Sequence, residues 1–203
     1  TFKGEGQHRH KKQSGGRGQF GEVHLRVYPL KDEGINSREE FFEKYATKEK
    51  FEKLRVDNCR YDDEHNFGFL DSVVGGTIPN QFVPACEKGC KELLDRGALA
   101  GYRIQGVAVE IYFGKDHPVD SSEQAFKTAA RIAFKNAFIK AGPVLLEPIV
   151  DLEITVPSSG TGALLGYLNT KRGRIENQDS LPGDLAVIKA KAPLAELTRL
   201  QAE

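Results

Sequence analysis

A glycine-rich stretch near the start of the chain, QSGGRGQFG at residues 13–21, has the residue types that bind phosphate or RNA. Its glycines let the backbone approach a ligand closely, Arg17 supplies a positive charge, and the side chains of Gln13 and Gln19 carry hydrogen-bond donors. A basic run, HRHKK at residues 8–12, comes directly before it. These residues fit either a cradle for the phosphates of a nucleotide or a loop that contacts RNA.

The element that follows the glycines separates these interpretations. A phosphate cradle of the P-loop type needs a preceding strand, a Gly-Lys-Ser/Thr end and a following helix. Here Val23, Leu25 and Val27 alternate with polar residues, which predicts a strand that ends at Pro29. A purely structural loop and an RNA-contacting loop both fit a segment that leads into a strand, and the spacing leaves both open.

A second candidate loop contains His117, in the segment GKDHP. It lies between a predicted strand, residues 104–113, and a predicted helix that ends near Lys140. No Cys or Ser nucleophile is evident beside this histidine, so a surface position fits it better than a catalytic one. Asp120 and Glu123 fit a helix N-terminal capping box better than an acid-base pair.

The total charge of the chain does not indicate a nucleic-acid partner, because 29 Lys and Arg balance 29 Asp and Glu. The distribution is more informative. Residues 1–26 contain six basic and two acidic residues, a net charge of +4, whereas residues 31–65 contain eight basic and eleven acidic residues, a net charge of −3. We therefore expect a phosphate-facing surface at the first segment. No apolar run approaches the roughly 20 residues that span a bilayer, so we expect no membrane partner.

The three cysteines allow a metal site or buried thiols. Cys86 and Cys90 are one helical turn apart, as two metal ligands would be, but they share an apolar helical stripe with Val83 and Leu94. Free cysteine packs as a small hydrophobe, so we expect buried thiols and no metal. With Cys59 the number is odd and secretory features are absent, which indicates reduced thiols in the cytoplasm.

The apolar pattern predicts an α+β chain of two domains, residues 1–143 and 144–203, with a charged insertion at about residues 31–65 that resembles one or two surface helices. The expected strands cover residues 23–29, 67–74, 104–113, 149–156 and 185–192, and the expected helices cover residues 84–96, 120–140 and 162–170. The pattern of the second domain predicts a split βαβ unit that stops at Glu203, inside its expected second helix and before its closing strand. Since the chain begins at Thr1 and contains no methionine, we expect a piece of a longer protein.

Five motifs resemble, in order and spacing, the fourth and fifth domains of bacterial translation elongation factor G. They are QSGGRGQFG at 13–21, GGxIP at 75–79, LAGY at 99–102, FGxxHxVDSSE at 113–123 and PVLLEPI at 143–149. The resemblance implies a βα two-layer sandwich of the ribosomal protein S5 domain 2-like type, followed by an incomplete ferredoxin-like split βαβ domain. It also implies a parent protein that is a ribosomal translocase and a GTPase. Its GTP and Mg²⁺ would bind an amino-terminal domain outside this chain, which would itself be non-catalytic and hold no cofactor.

The resemblance also implies site residues and partners. The tip loops of the first domain would enter the decoding region of the small subunit and contact ribosomal RNA, tRNA and mRNA, through Ser14, Gly15, Gly16, Arg17, Gly18, Gln19 and His117. The second domain would lie near the stalk base and the sarcin-ricin RNA of the large subunit. There Lys171, Arg172 and Arg174 are candidates for RNA contact or for an interface. We expect a monomer on its own.

Two departures from the family pattern indicate a paralogue. The insertion at 31–65 is longer than the usual connection, and residues 197–201 read LTRLQ where members usually have Met-Phe-Gly-Tyr. A ribosome-recycling or ribosome-protection factor is therefore the alternative within the family. A small-molecule kinase with the same sandwich fold is the alternative from another class.

Overall fold

The computed structural model describes residues 3–13, 16, 18–46 and 58–197 of the chain. The chain forms two compact units, Thr1–Pro143 and Val144–Glu203. Both combine helices with a sheet, which confirms the predicted α+β class.

The first unit is built on a five-stranded sheet in the order β1-β2-β5-β4-β3. Its strands are β1 (Gly4–Lys12), β2 (Gln19–Pro29), β3 (Cys59–Asp62), β4 (Phe67–Asp71) and β5 (Val107–Lys115), and its helices are α1 (Arg38–Tyr45), α2 (Val83–Arg96) and α3 (Glu123–Lys140). Strands β4 and β5 run parallel, and the other neighbours in this sheet are antiparallel. The predicted two-layer βα sandwich is therefore observed.

The main core lies between the sheet and the pair α2 and α3. Val23, Leu25 and Val27, the alternating residues that predicted a strand, are 0–1% exposed and belong to this core. Phe126 and Phe134 of α3 belong to the same cluster and are fully buried. The predicted alternation thus identified the face of the sheet that the helices cover.

Strand β1 was not predicted, because glycine and charged residues are depleted in strands. Its glycines have a packing role instead. A Cβ atom on Gly4 would lie 2.1 Å from the carbonyl oxygen of Ala137, and one on Gly6 would lie 2.2 Å from that of Ala133. Helix α3 therefore lies directly on the backbone of β1, at a separation that no side chain on these glycines would permit.

The segment predicted as an insertion contributes to the fold of the first unit. The expected surface helix is α1, and its Phe41 is fully buried against the sheet beside Gly68. Strand β3 was not predicted and forms the edge of the sheet beside β4. A second buried cluster results on the face away from α3, made of Leu30, Ile35, Phe41, Tyr45, Cys59, Leu70 and Ala108. Residues 47–57 lie outside the described residues.

The predicted cap of α3 was displaced by two residues. The N-cap is Ser122, whose hydroxyl oxygen accepts the amide hydrogen of Ala125 at 3.2 Å, and not Asp120. Asp120 lies before the helix, where its backbone carbonyl accepts the amide hydrogen of Phe20.

The second unit is a three-stranded antiparallel sheet in the order β6-β8-β7 with one helix. Its elements are β6 (Ile149–Pro157), α4 (Thr161–Thr170), β7 (Arg174–Leu181) and β8 (Leu185–Pro193). Leu168, Ile188 and Ala190 form its buried core. The first strand, the helix and the last strand were predicted, whereas β7 was not delimited. The expected second helix reaches residues 198–203, which lie outside the described residues.

Gly6→Ala tests the contact between α3 and β1. Because the new methyl group would overlap the backbone of α3, we expect a loss of about 1–3 kcal/mol in the free energy of unfolding. Urea unfolding of the 203-residue chain, followed by circular dichroism, measures it. Gly166→Ala is the matched control, since nothing lies within 4 Å of its Cβ position in α4 and the change should stabilise by about 0.5–1 kcal/mol. Unchanged stability of the Gly6 variant would mean that α3 does not press on β1.

Lys44→Met tests a pH-dependent contact of α1. Lys44 Nζ lies 2.7 Å from a carboxylate oxygen of Glu33, and this hydrogen bond is the main reason that the pKa of Glu33 falls from 4.5 to about 2. A lowered pKa stabilises the folded state fully above about pH 4.5, and this contribution disappears as the pH falls toward 2. We expect the variant to lose on the order of 1 kcal/mol at pH 7, and the difference to shrink below pH 4.5. Lys31→Met, at an exposed position, is the control, and a difference that is constant with pH would contradict this assignment.

Candidate nucleic-acid interface

The two candidate loops lie at the same end of the sheet. Pairing of β1 with β2 ends at Lys12 and Gln19, so the glycine loop, residues 13–18, joins two antiparallel strands. Strand β5 pairs antiparallel with β2, with Lys115 opposite Glu22. The end of β5 therefore lies beside the start of β2. The histidine loop, residues 116–122, follows β5 along the chain and so begins close to the glycine loop. Together the two loops form what we call the tip.

Hydrogen bonds join the histidine loop to the start of β2. The Phe20 amide donates to the Asp120 carbonyl at 2.8 Å, and the Ser121 hydroxyl donates to the Phe20 carbonyl at 3.0 Å. The hydroxyl oxygen of Ser121 also accepts the amide hydrogen of His117 at 2.8 Å. One serine therefore closes the turn of the histidine loop and fastens it to β2.

Gly18 allows the two loops to approach closely. A Cβ atom at this position would lie 2.8 Å from the carboxyl carbon of Asp120, so a side chain here would displace the Asp120 carboxylate. Gly16 is exposed. Ser14, Gly15 and Arg17 lie outside the described residues, and their RNA contact stays a prediction.

His117 has a fixed orientation. Its Nδ1 atom accepts the amide hydrogens of Val119 at 3.3 Å and Asp120 at 3.2 Å, so the ring proton sits on Nε2. The ring packs against Phe20, with 6.1 Å between ring centroids, and its side chain is 50% exposed. The imidazole thus presents one N–H donor outward.

The basic run forms most of β1, and its charges are not equally available. Arg9 donates to Glu22 at 2.5 Å, and His24 lies 2.9 Å from the same carboxylate, which is 7% exposed. Burial alone would raise the pKa of Glu22, but the hydrogen bonds from His24 and Arg9 outweigh it and lower that pKa. Lys11 and Lys12 are exposed and directly precede the glycine loop, so they supply the positive charge there.

The geometry of the tip fits neither a P-loop nucleotide site nor a Ser-His nucleophile pair. The glycine loop leads into a strand, so it lacks the helix N-terminus that holds phosphates in a P-loop. The Ser121 hydroxyl bonds backbone groups and not the imidazole, which leaves it without a base. The tip instead offers backbone, N–H donors and cations, the groups that contact RNA.

In the second unit, Arg172 is occupied by partners within the unit. It has a left-handed backbone with φ of 55°, and its guanidinium donates to both carboxylate oxygens of Glu147, at 2.7 and 3.0 Å, and to Glu196 at 3.0 Å. These bonds lower the pKa of Glu147. Lys171 lies 5.3 Å from the ring centre of Tyr167, and Arg174 is exposed at the start of β7. Of the three predicted residues, Arg172 is therefore the one whose charge is shown to be paired within the unit, and the RNA contact of all three stays a prediction.

Sequence reasoning missed three residues that build the tip: His10, Phe20 and Ser121. The Nε2 atom of His10 lies 3.0 Å from the amide oxygen of Gln19, which is a contact across the hairpin. The only sequence signal for His10 was its place in the basic run, and the only signal for Ser121 was its place in the serine pair before α3. Neither signal identifies its partner.

The cysteines are buried thiols, as predicted. Cys86 and Cys90 are fully buried in the main core, and burial raises the pKa of Cys86 to about 12 and the pKa of Cys90 well above its ordinary value. Across the described ranges, no group of three or more His, Cys, Asp or Glu side chains could hold a metal ion. No helix within those ranges is long and apolar enough to cross a membrane.

Comparisons with known proteins agree on one family. Residues 38–142 match the family model "Elongation factor G, domain IV", and residues 144–203 match "Elongation factor G C-terminus". The chain is 41% identical to elongation factor G of Petrotoga mobilis over 187 residues, which are 92% of the chain and 23% of that protein. It also superimposes on a crystal structure of a Thermus thermophilus protein with a TM-score of 0.71 and 36% identity, covering 96% of the chain and 24% of the other. The chain thus spans about a quarter of each relative.

Ser121→Ala tests whether this hydroxyl holds the tip together. Without it, the His117 amide loses its acceptor and the Phe20 carbonyl loses a donor. We therefore expect the free energy of unfolding to fall by about 1–3 kcal/mol, and we expect faster hydrogen exchange in the histidine loop and at the start of β2. Exchange measured by mass spectrometry on peptides from residues 18–22 and 113–122 reports it. Ser159→Ala, at an exposed position of the second unit, should leave these peptides unchanged. Equal exchange in the Ser121 variant and the wild type would show that the hydroxyl does not join the loops.

Proposed function

The chain belongs to the elongation factor G family, and we propose that it is the ribosome-binding part of a translation elongation factor whose tip promotes movement of tRNA and mRNA. The observation that carries this proposal is the joining of the glycine loop and the histidine loop into one tip, with exposed Lys11 and Lys12 beside it. A charged RNA partner suits such a surface, because phosphates bind cations and N–H donors irrespective of base sequence.

The tip would act at the decoding region of the small subunit, where tRNA pairs with mRNA. Gln19 and His117 would donate hydrogen bonds to RNA, while Gly16 and Gly18 would let backbone approach it. Ser14, Gly15 and Arg17 share this proposed role through their position in the glycine loop. Independence from base sequence matters there, since every codon has to move.

The physical mechanism is a shift of a positional equilibrium. A tip that contacts tRNA and mRNA more strongly after movement than before favours the moved state by the difference between the two affinities. Shifting the population from 1:99 to 99:1 needs a difference of about 5.5 kcal/mol. The hydrogen bonds that join the histidine loop to β2 would keep the tip in a fixed position on the sheet while it contacts RNA.

GTP hydrolysis would give the movement direction, and we place it in the longer protein. GTP and Mg²⁺ would bind outside this chain, because the glycine loop lacks the helix N-terminus and the Gly-Lys-Ser/Thr end that a phosphate cradle needs. The residues of this chain would then bind and position RNA and perform no covalent chemistry. We expect the chain to be a cytoplasmic monomer when it is free of ribosomes.

The second unit would contact the large subunit near the stalk base and the sarcin-ricin RNA. Lys171 and Arg174 carry the cations available for this contact. Arg172 would support it indirectly, because its bonds to Glu147 and Glu196 fix the turn between α4 and β7.

A toe-print assay of mRNA movement tests the proposal in the full-length protein. His117→Ala and Gln19→Ala should each slow the one-codon shift on pre-translocation ribosomes roughly tenfold or more, because each loses a hydrogen bond to RNA. Gln178→Ala, in exposed β7, is the matched control and should move mRNA at the wild-type rate.

Other outcomes of this assay separate the alternatives. GTP hydrolysis by the wild-type protein without any codon shift would contradict translocation and favour a recycling or protection factor. Magnesium-dependent ATP binding by the 203-residue chain in calorimetry would instead favour the small-molecule kinase.

A further inference from the structure

The hydrogen bond between His10 and Gln19 determines which group of the Gln19 side chain is left to bind a ligand. We infer that His10 is a positioning residue, which holds the amide oxygen of Gln19 so that its NH₂ group faces the acceptor atoms of RNA. This inference rests on the proposed function, because it assigns how one tip residue reaches its ligand. His10 itself does not need to touch RNA.

The register of the hairpin explains how these two side chains meet. His10 lies opposite Gly21, and Gln19 is two residues before Gly21 on the same strand. Residues in this diagonal relation share one face of the sheet and reach one another when their side chains are long. Since Gly21 has no side chain, no Cβ stands between the imidazole and the Gln19 amide. A Cβ on Gly21 would also lie 3.1 Å from the backbone at the start of α3, which is on the same face.

The chemistry of the bond sets its direction. A carboxamide oxygen only accepts hydrogen bonds, so the contact of 3.0 Å between Gln19 Oε1 and His10 Nε2 places a proton on Nε2. The oxygen of Gln19 is then occupied. Its NH₂ group, with two donors, is the part of the side chain that remains for a ligand.

His117 also has a hydrogen-bond donor left to bind a ligand, for an independent reason. Two backbone amides occupy its Nδ1 atom, which leaves Nε2–H as the outward group. Both tip side chains therefore offer donors, and every nucleotide of RNA carries acceptors on its phosphate and its ribose. A tip that offers these donors contacts any RNA sequence in the same way.

A double-mutant cycle in the full-length protein tests the inference. We expect His10→Phe to slow the mRNA shift about three- to tenfold, the effect of one misplaced hydrogen bond. In a Gln19→Ala background His10→Phe should have no further effect, because it acts only through Gln19. His10→Gln, whose amide can donate to the same oxygen, should recover most of the rate.

His8→Phe is the matched control, since His8 lies two residues earlier on the same face of β1, opposite Val23. It should leave the rate unchanged in both backgrounds. Thermal unfolding of all variants separates loss of fold from loss of positioning, and equal midpoints are expected.

The possible results distinguish this inference from the proposed function. If His10→Phe and Gln19→Ala slow the shift by factors that multiply, or if His10→Phe has no effect, His10 does not position Gln19. If Gln19→Ala has no effect while His117→Ala slows the shift, the positioning role is wrong and the tip still contacts RNA. If neither Gln19→Ala nor His117→Ala slows it, the proposed function fails and the inference fails with it.

Discussion

The first unit depends on the direct contact between α3 and the backbone of β1 and β2. Gly4 and Gly6 permit this contact, because a Cβ on either would overlap the carbonyl oxygens of α3. The helix is thereby fixed along the sheet, and so is its first residue. Since Ser122 caps the helix and the preceding Ser121 bonds Phe20, the position of α3 determines where the histidine loop sits. The packing of a helix is thus coupled to the geometry of a binding surface.

The tip combines a rigid base with an accessible end. Its base is fastened by backbone and serine hydrogen bonds, whereas Gly16 and the two lysines at the end of β1 are exposed. Rigid positioning reduces the entropy lost when the tip binds, and donors held in place do not have to be reoriented. A surface of this kind suits a partner that changes with every codon but always carries the same backbone.

The sequence predicts those parts of the fold in which local pattern and tertiary packing agree. The alternation at Val23, Leu25 and Val27 identified β2 and its buried face, and the motif around His117 located the second loop. Strand β1 was not predicted, because its glycines are explained by their contact with α3, which lies more than a hundred residues away in the sequence. For the same reason the role of Arg172 was not predictable, since its partners Glu147 and Glu196 are 25 and 24 residues away. The pairing of His10 with Gln19 needs the hairpin register, which composition does not contain.

The most direct test of this account is tethered hydroxyl-radical probing from Gly16→Cys in the full-length protein bound to ribosomes. The cysteines of this chain should not compete for the label, because all three are buried and burial raises their pKa values. Other exposed cysteines of the longer protein would be replaced, and a label at Gly166→Cys in α4 serves for comparison. The account predicts RNA cleavage in the small-subunit decoding region, in the tRNA anticodon and in the mRNA from position 16, and a different pattern from position 166. Cleavage from position 16 that is confined to the large subunit, or that misses RNA altogether, would contradict it.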